Sequence, residues 1–418
     1  MRTFKGGIRL DHHKEQTAGK PIRNAREPKV VVIHLSQGGA PCQPMVQVGD
    51  AVKVGQKLGD SKATLSAPVH SSVSGKVTAI DNAPHPNGSI SQAVFIESDG
   101  KQEMAAPVAN ISVREAGIVG MGGGSFPTHV KLNPPAGKKI DTVILNGAEC
   151  EPYITCDHAL MLEEPRSIVA GLAEIMNMVK AERGIIAIED NKPDAFRKIK
   201  EAVIQTNIRV EMLSTKYPQG GEKELIYSLL KREVPTGGLP MDIGCIVSNV
   251  GTAYAIARSR KTGMPLTERV VTVTGSVKNP SNIKAKVGTK IGELIDDCGG
   301  FLGKPKKLIL GGPMMGITQN TLETPIAKCT TCVLVLDEKD AKLFEEQPCI
   351  RCCRCVDACP VQLAPNFIAD YSQNDMFEKA IERGAKDCIE CGICSYVCPT
   401  RRELVHWIKL AKTKGSKR

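Results

Sequence analysis

Residues 349–360 read CIRCCRCVDACP and residues 388–399 read CIECGICSYVCP. Each is a C-x2-C-x2-C-x3-C-P run: Cys349, Cys352, Cys355 and Cys359 before Pro360, then Cys388, Cys391, Cys394 and Cys398 before Pro399. Two residues between thiolates let a short loop wrap three sulfurs around one face of an iron–sulfur cube, while the fourth cysteine of such a run ligates the other cluster. The spacing therefore predicts two 4Fe–4S clusters. One falls on Cys349, Cys352, Cys355 and Cys398, the other on Cys388, Cys391, Cys394 and Cys359. Cys353 lies between ligands and is surplus. Zinc knuckles use separated C-x2-C pairs, often with His, and no His occurs between Cys349 and Pro399. Disulfide frameworks belong to small secreted domains, whereas this chain has 418 residues.

Working outward, NFIADYSQNDMFEKAIERGAKD (366–387) spaces the two runs with helix instead of a short hairpin, which predicts an α-helical ferredoxin domain. Residues 336–348 read as a helix leading into it, and Trp407, Leu404, Ile408 and Leu410 as the apolar face of a last helix. Cys329 and Cys332 form an isolated C-x2-C followed by the strand-like VLVL, so they read as incidental thiols, because a redox dithiol wants a helix start after its first cysteine.

Composition bounds the rest. The length predicts about two to four domains. Of the 16 cysteines, eight belong to the two runs and the others are mostly isolated, as in a reduced cytoplasmic protein. The opening MRTFKGGI has no apolar core of a signal peptide, and no run of about 18 apolar residues predicts a membrane span. The net charge of +10 and the basic end suit acidic partners or an anionic membrane face. With 4% aromatic residues and no recognisable motif, nucleic-acid binding is not expected.

Upstream, residues 30–80 read as short strands with Gly, Pro and Ser between them. The V-G-D-x-V-x-x-G-Q turn and the Gly75-Lys76-Val77 return resemble a biotinyl/lipoyl-type barrel-sandwich hybrid. Lys62, nearest to the modifiable position of such domains, lacks the flanking residues and reads as an ordinary surface lysine. From about residue 111 the pattern turns α/β. GIVGMGGGSFPT (117–128) is a glycine-rich loop whose N–H groups can cradle a phosphate, and Lys131 follows it. IDTVILN (140–146) is a buried-strand run ending in Asn146, at the strand end where α/β sheets bind ligands. Glu149 and Glu151 lie just past it.

GMGGGSFPTHVK, LNGAECEP, YPQGGEKEL (217–225) and GGLPMDIGCIVSNVGT (237–252) resemble, in order, the FMN- and NADH-binding subunit of respiratory complex I. The opening TFKGGI, HLSQGGAPCQPMVQVGD and the terminal cysteine runs bring the resemblance closer still to the C subunit of Rnf electron-transport complexes. ERVVTVTGSVKNPSNIKAKVGTKIGELIDDCGGF (268–301) resembles an SLBB β-grasp domain. The resemblance implies a multidomain α/β chain: a barrel-sandwich domain (1–110), a Rossmann-like FMN/NADH domain (111–265), an SLBB domain (266–335) and a ferredoxin domain (336–418). It places FMN near Gly120, Gly122, Gly123, Gly124, Lys131, Asn146, Asn249 and Thr252, and NAD(H) near Glu149, Glu151 and Glu222. Ala148, Cys150 and Ser248 depart from the family's Asp, Gly and Asn.

It further implies a peripheral subunit on the cytoplasmic face of a bacterial or archaeal membrane. There it would dock to the other subunits of an ion-translocating complex and move electrons among NAD(H), FMN, two 4Fe–4S clusters and, through the complex, ferredoxin. A soluble cobalamin reductase of the same family and a non-catalytic electron relay are the alternatives. In the reductase the clusters precede the SLBB segment; here they follow it.

Overall fold

A computed structural model describes residues 2–342 and 344–415. The valine-rich alternation near the start folds into two facing antiparallel sheets. One is ordered Val30–His34, Ile90–Ser98, Gly75–Pro84, Ala51–Val52; the other Gln43–Pro44, Lys57–Asp60, Val69–His70. Val31, Ile33, Leu58, Val69, Val77 and Ile96 fill the space between them. Period-2 patterning buries alternate residues inward, as a sandwich requires. Lys62, at the exposed loop after Asp60, is solvent-facing.

Residues 2–24 lie outside this sandwich and lace the other modules together. Arg2 bridges Leu213, Ile8 bridges Tyr217, and Gly7 donates to the carbonyl of Ala358. Arg23–Asn24 pairs in parallel with Ser281–Lys286.

The second module is a parallel sheet ordered Ile208–Leu213, Arg183–Glu189, Thr142–Gly147, Cys245–Asn249. Its strands are near-continuous apolar runs because helices cover both faces. Cys156–Glu163, Pro165–Val179, Pro193–Ala202, Glu222–Leu230 and Val250–Thr262 supply them. The sheet brings the ends of Thr142–Gly147 and Cys245–Asn249 side by side, with Asn146 and Asn249 in register.

The third module is a six-stranded mixed sheet: Arg23–Asn24, Ser281–Lys286, Glu268–Gly275, Cys332–Leu336, Lys307–Leu310, Ile317–Gln319. The helix Ile291–Asp297 packs on it. Cys332 opens a fully buried strand, as VLVL suggests.

The last module is helical: Arg354–Asp357, Pro365–Gln373, Phe377–Glu382, Ile393–Tyr396 and Leu404–Gly415. Leu404, Ile408 and Ala411 bury one face of the final helix, and Trp407 packs at its margin. One expectation fails. The described part of 337–348 contains no helix. The Asp337 carboxylate accepts the N–H groups of Lys339 and Asp340, closing a turn that competes with helix initiation.

Candidate functional site

The glycine-rich loop arches over the paired strand ends. Its base is held from behind: the Met121 N–H donates to Thr252 Oγ1 at 2.9 Å, and the Gly120 N–H to the Phe126 carbonyl at 2.8 Å. Its tip is left open. Gly122, Gly123 and Gly124 are exposed, and their amides donate to no acceptor among the described residues. A Cβ on Gly123 or Gly124 would meet nothing within 4 Å. Consecutive amides without an internal acceptor are the kind of backbone that can receive an anion.

Around it stand the other residues singled out in the sequence. Asn249 caps the helix Val250–Thr262 by accepting from the Gly251 N–H (2.8 Å), and its amide donates to Asp157 (2.6 Å). The Gly122 backbone lies against the Asn249 side chain. Asn146 donates to the Gly220 carbonyl (2.8 Å) and accepts from the Ala148 N–H (3.1 Å). Lys131 pairs with Glu222 at 2.5 Å, a partly exposed contact at the start of the helix Glu222–Leu230. Cys150, unusual in the motif, accepts from the Gly220 N–H at 3.3 Å and so ties the strand end to the YPQGG loop.

Glu149 and Glu151 are placed differently from their neighbours. The Glu149 side chain is 2% exposed; it accepts from the N–H groups of Asp157 (2.6 Å) and His158 (3.3 Å), with the Lys14 amine 3.9 Å away. Burial pushes its carboxyl up to about 7, and Lys14 pulls against that rise. Glu151 accepts from Met315 (2.8 Å) and Met314 (3.3 Å) of the third module, and burial again raises its carboxyl to about 7. Both carboxylates therefore brace the strand end from inside the protein.

Several residues that matter here carry no short motif. Asp157 is buried beside Asn249; burial raises its carboxyl and Arg269 pulls it back down. Lys14 donates to the carbonyls of Glu149 (2.8 Å) and Ile154 (2.5 Å). Lys192, 1% exposed, donates to the Ala148 carbonyl at 2.7 Å and lies 3.5 Å from the Glu189 carboxylate. Lys14 lies in HHKEQ and Lys192 in DNKPD, polar surroundings that mark neither as buried, so a reading based on pattern alone passes over them. Tyr217 does stand within a motif, at the head of YPQGGEKEL.

The cysteines gather in two groups. Cys349, Cys352, Cys353, Cys355 and Cys398 line one small cavity with Asn366, Thr400 and Arg402. Cys359 lies with Cys388, Cys391 and Cys394, where burial first and the neighbouring thiols next raise the last two. Cys353 is exposed at the edge of the first group, with its backbone in the left-handed region (φ 60°). The second group is the inner one: the Tyr217 hydroxyl donates to the Cys391 carbonyl at 2.8 Å, and Cys391, Ile393, Tyr217 and Leu10 share one apolar cluster with Cys150 against it. Cys352, by contrast, is exposed.

Comparison with known proteins fits this architecture module by module. Residues 2–101 match the RnfC barrel sandwich hybrid domain, 113–258 the Nuo51 FMN-binding domain, 270–318 the SLBB domain and 341–399 the 4Fe–4S dicluster domain. The chain is 47% identical to the C subunit of the Na(+)-translocating ferredoxin:NAD(+) oxidoreductase complex of Acetobacterium woodii, covering 98% of this chain and 96% of that one. It is 45% identical to the C subunit of the proton-translocating ferredoxin:NAD(+) oxidoreductase complex of Clostridium ljungdahlii, covering 99% and 94%. The chain belongs to the family of C subunits of these complexes.

A crystal structure of an NAD+-reducing [NiFe]-hydrogenase in the air-oxidised state shares the fold, with a TM-score of 0.53 at 19% identity. The likeness covers 71% of this chain and 61% of the hydrogenase chain. As a member of that family, the chain carries an FMN domain and a dicluster domain, and its residues fit both groups. The open glycine tip offers unpaired donors to a phosphate. Cys398 of the second run joins the cysteines of the first, and Cys359 of the first joins those of the second, an arrangement that fits the crossed ligation of two clusters. No helix among the described residues is long and apolar enough to cross a membrane.

Proposed function

We propose that this chain is the peripheral electron-input and -output subunit of an ion-translocating ferredoxin:NAD+ oxidoreductase, docked to membrane subunits on their cytoplasmic face. When bound, FMN exchanges a hydride with NAD(H) and the 4Fe–4S clusters carry electrons singly, the pairing that lets a two-electron donor feed one-electron centres. The amides of Gly122, Gly123 and Gly124, with Lys131, receive the FMN phosphate. Asn146, Asn249 and Thr252 set the floor beneath the ring, and Glu222 faces the dinucleotide. Glu149 and Glu151 serve the same site by bracing the strand end.

The observation that carries this reading is the bond from Tyr217 to Cys391. It joins the inner cysteine group to the loop whose Gly220 is bonded to Asn146 and Cys150. With both groups bound, the cluster on Cys388, Cys391, Cys394 and Cys359 would be the one next to the flavin domain. The cluster on Cys349, Cys352, Cys355 and Cys398 would be the one nearer the surface, where Cys352 is exposed.

The deciding experiment is anaerobic titration of the flavin- and iron-loaded chain with NADH, followed by flavin absorbance and EPR. Bleaching together with reduced 4Fe–4S signals is expected in the parent. In Cys391→Ala, bleaching persists and cluster reduction is lost. Iron and sulfide present with no response to NADH would overturn the dehydrogenase reading and leave a relay.

A further inference from the structure

The glycine-rich loop belongs to the second module, yet beside its own bonds to Thr252 and Phe126 it is held from the first and third. Arg269, on the strand Glu268–Gly275, is 3% exposed, an arginine taken fully out of water. One nitrogen of its guanidinium donates to two carbonyls: Met121, at the root of the loop, and Lys328, each at 2.9 Å. The Lys328 amide donates to the Gln37 side-chain oxygen at 3.1 Å. The Gln37 carbonyl accepts from the Ser125 hydroxyl at 2.7 Å, at the far end of the glycine run.

These bonds close a circuit, Met121–Arg269–Lys328–Gln37–Ser125, that spans all three modules and returns to the loop. The Lys328 amine adds two more ties, to the carbonyls of Gly117 (2.7 Å) and Pro68 (2.8 Å). Gly38 packs its backbone on the Ser125 carbonyl, leaving no room for a side chain there.

We infer that Arg269 is a positioning residue for the flavin-phosphate cradle, acting with Lys328, Gln37 and Ser125 to hold the two ends of the glycine run. With the Met121 N–H given to Thr252 and its carbonyl to Arg269, both backbone groups at the root point inward. The next three amides are left facing out. A loop with three glycines has many accessible conformations, and ordering it on binding would cost affinity. The circuit removes that cost before the ligand arrives. This gives the sandwich and SLBB modules a role in the flavin site although neither supplies a group that touches the flavin. The inference rests on reading the glycine loop as the phosphate cradle.

The test compares FMN with riboflavin, which lacks the phosphate, by flavin-fluorescence titration of the flavin-free full chain carrying its clusters. Losing charge-assisted hydrogen bonds to the loop predicts FMN binding about 10- to 100-fold weaker in Arg269→Gln. Riboflavin should weaken much less, so the ratio of the two affinities falls. Arg269→Lys, which keeps the charge and one donor, recovers part of the ratio. Arg258→Gln, which removes a salt bridge to Glu268 nearby without touching the loop, leaves it unchanged.

Should Arg269→Gln lose its cluster spectrum or cooperative unfolding, Ser125→Ala carries the test. It breaks the circuit at a partly exposed site, and a ratio lowered about 3- to 10-fold is expected from one neutral hydrogen bond. A ratio equal to the parent's in Ser125→Ala, or in a folded Arg269→Gln, overturns the inference. Failure of the parent chain to bind FMN more tightly than riboflavin overturns the cradle reading instead.

Discussion

At the residue scale, Glu151 is a carboxylate taken out of water. Its carboxyl is buried against two backbone N–H groups and titrates near 7 instead of near 4.5. A carboxyl with a raised folded-state pKa costs stability as pH climbs from the unfolded value to the folded one, and the cost is constant above that. Glu151→Gln removes the titration, so the stability of the variant relative to the parent should improve by about 3 kcal/mol between pH 4.5 and pH 7.5, at 1.36 kcal/mol per pKa unit. Denaturant melts at both pH values read this out. A difference independent of pH would mean the side chain is solvated. The cysteines offer a second test. Cys353→Ser should keep about eight iron atoms per chain and Cys394→Ala about four, since only the latter removes a ligand predicted by the spacing; iron and sulfide analysis decides. The eight cysteines were legible because thiolate spacing encodes the site locally. The burial of Glu149 and Glu151 was not, because their partners lie on the helix Cys156–Glu163 and on the loop holding Met314 and Met315.

At the element scale, the helices Pro165–Val179 and Val250–Thr262 cross so closely that a Cβ on Gly171 would overlap the carbonyl of Ala253. Asn249 caps the second of them and, in the reading proposed above, borders the flavin site. Gly171→Ala must push the helices apart, so it should cost about 1–3 kcal/mol by overpacking. It should also loosen FMN, because Asn249 and Thr252 move with the helix. Thermal melts and flavin titration together check this; an unchanged melt would show the contact to be slack. The apolar run at 140–146 announced the strand Thr142–Gly147. The helix expected over 336–348 failed because a turn centred on Asp337 took its first backbone donors. Such local competition outweighs average propensity.

At the scale of the whole molecule, the ferredoxin module has a small core, Ile368, Ala369, Ala380, Leu404, Ile408 and Ala411, packed beside its cysteines. Metal that bridges eight thiolates from separate stretches contributes folding energy directly. Chelating the iron under anaerobic conditions should therefore raise amide hydrogen exchange across 349–415 first, while 142–262 stays protected. Equal protection in both regions would show that the module folds without its clusters. The order of the modules was readable from sequence, because each is encoded within a few tens of residues. Residues 2–24, by contrast, read as part of the first domain. Only the fold shows them threading between the other three, since the partners of Gly7, Ile8 and Arg23 lie hundreds of positions away.

The family and its cofactor domains, then, are written along the chain: the cysteine spacing, the glycine run and the order of the modules. The wiring is settled only in three dimensions: which cysteine group faces the flavin domain, which carboxylates are spent on backbone amides, and which buried arginine holds the loop. Ligand sets follow from local spacing, but long-range hydrogen bonds such as Tyr217 to Cys391 and Arg269 to Met121 join residues whose separation no local pattern encodes.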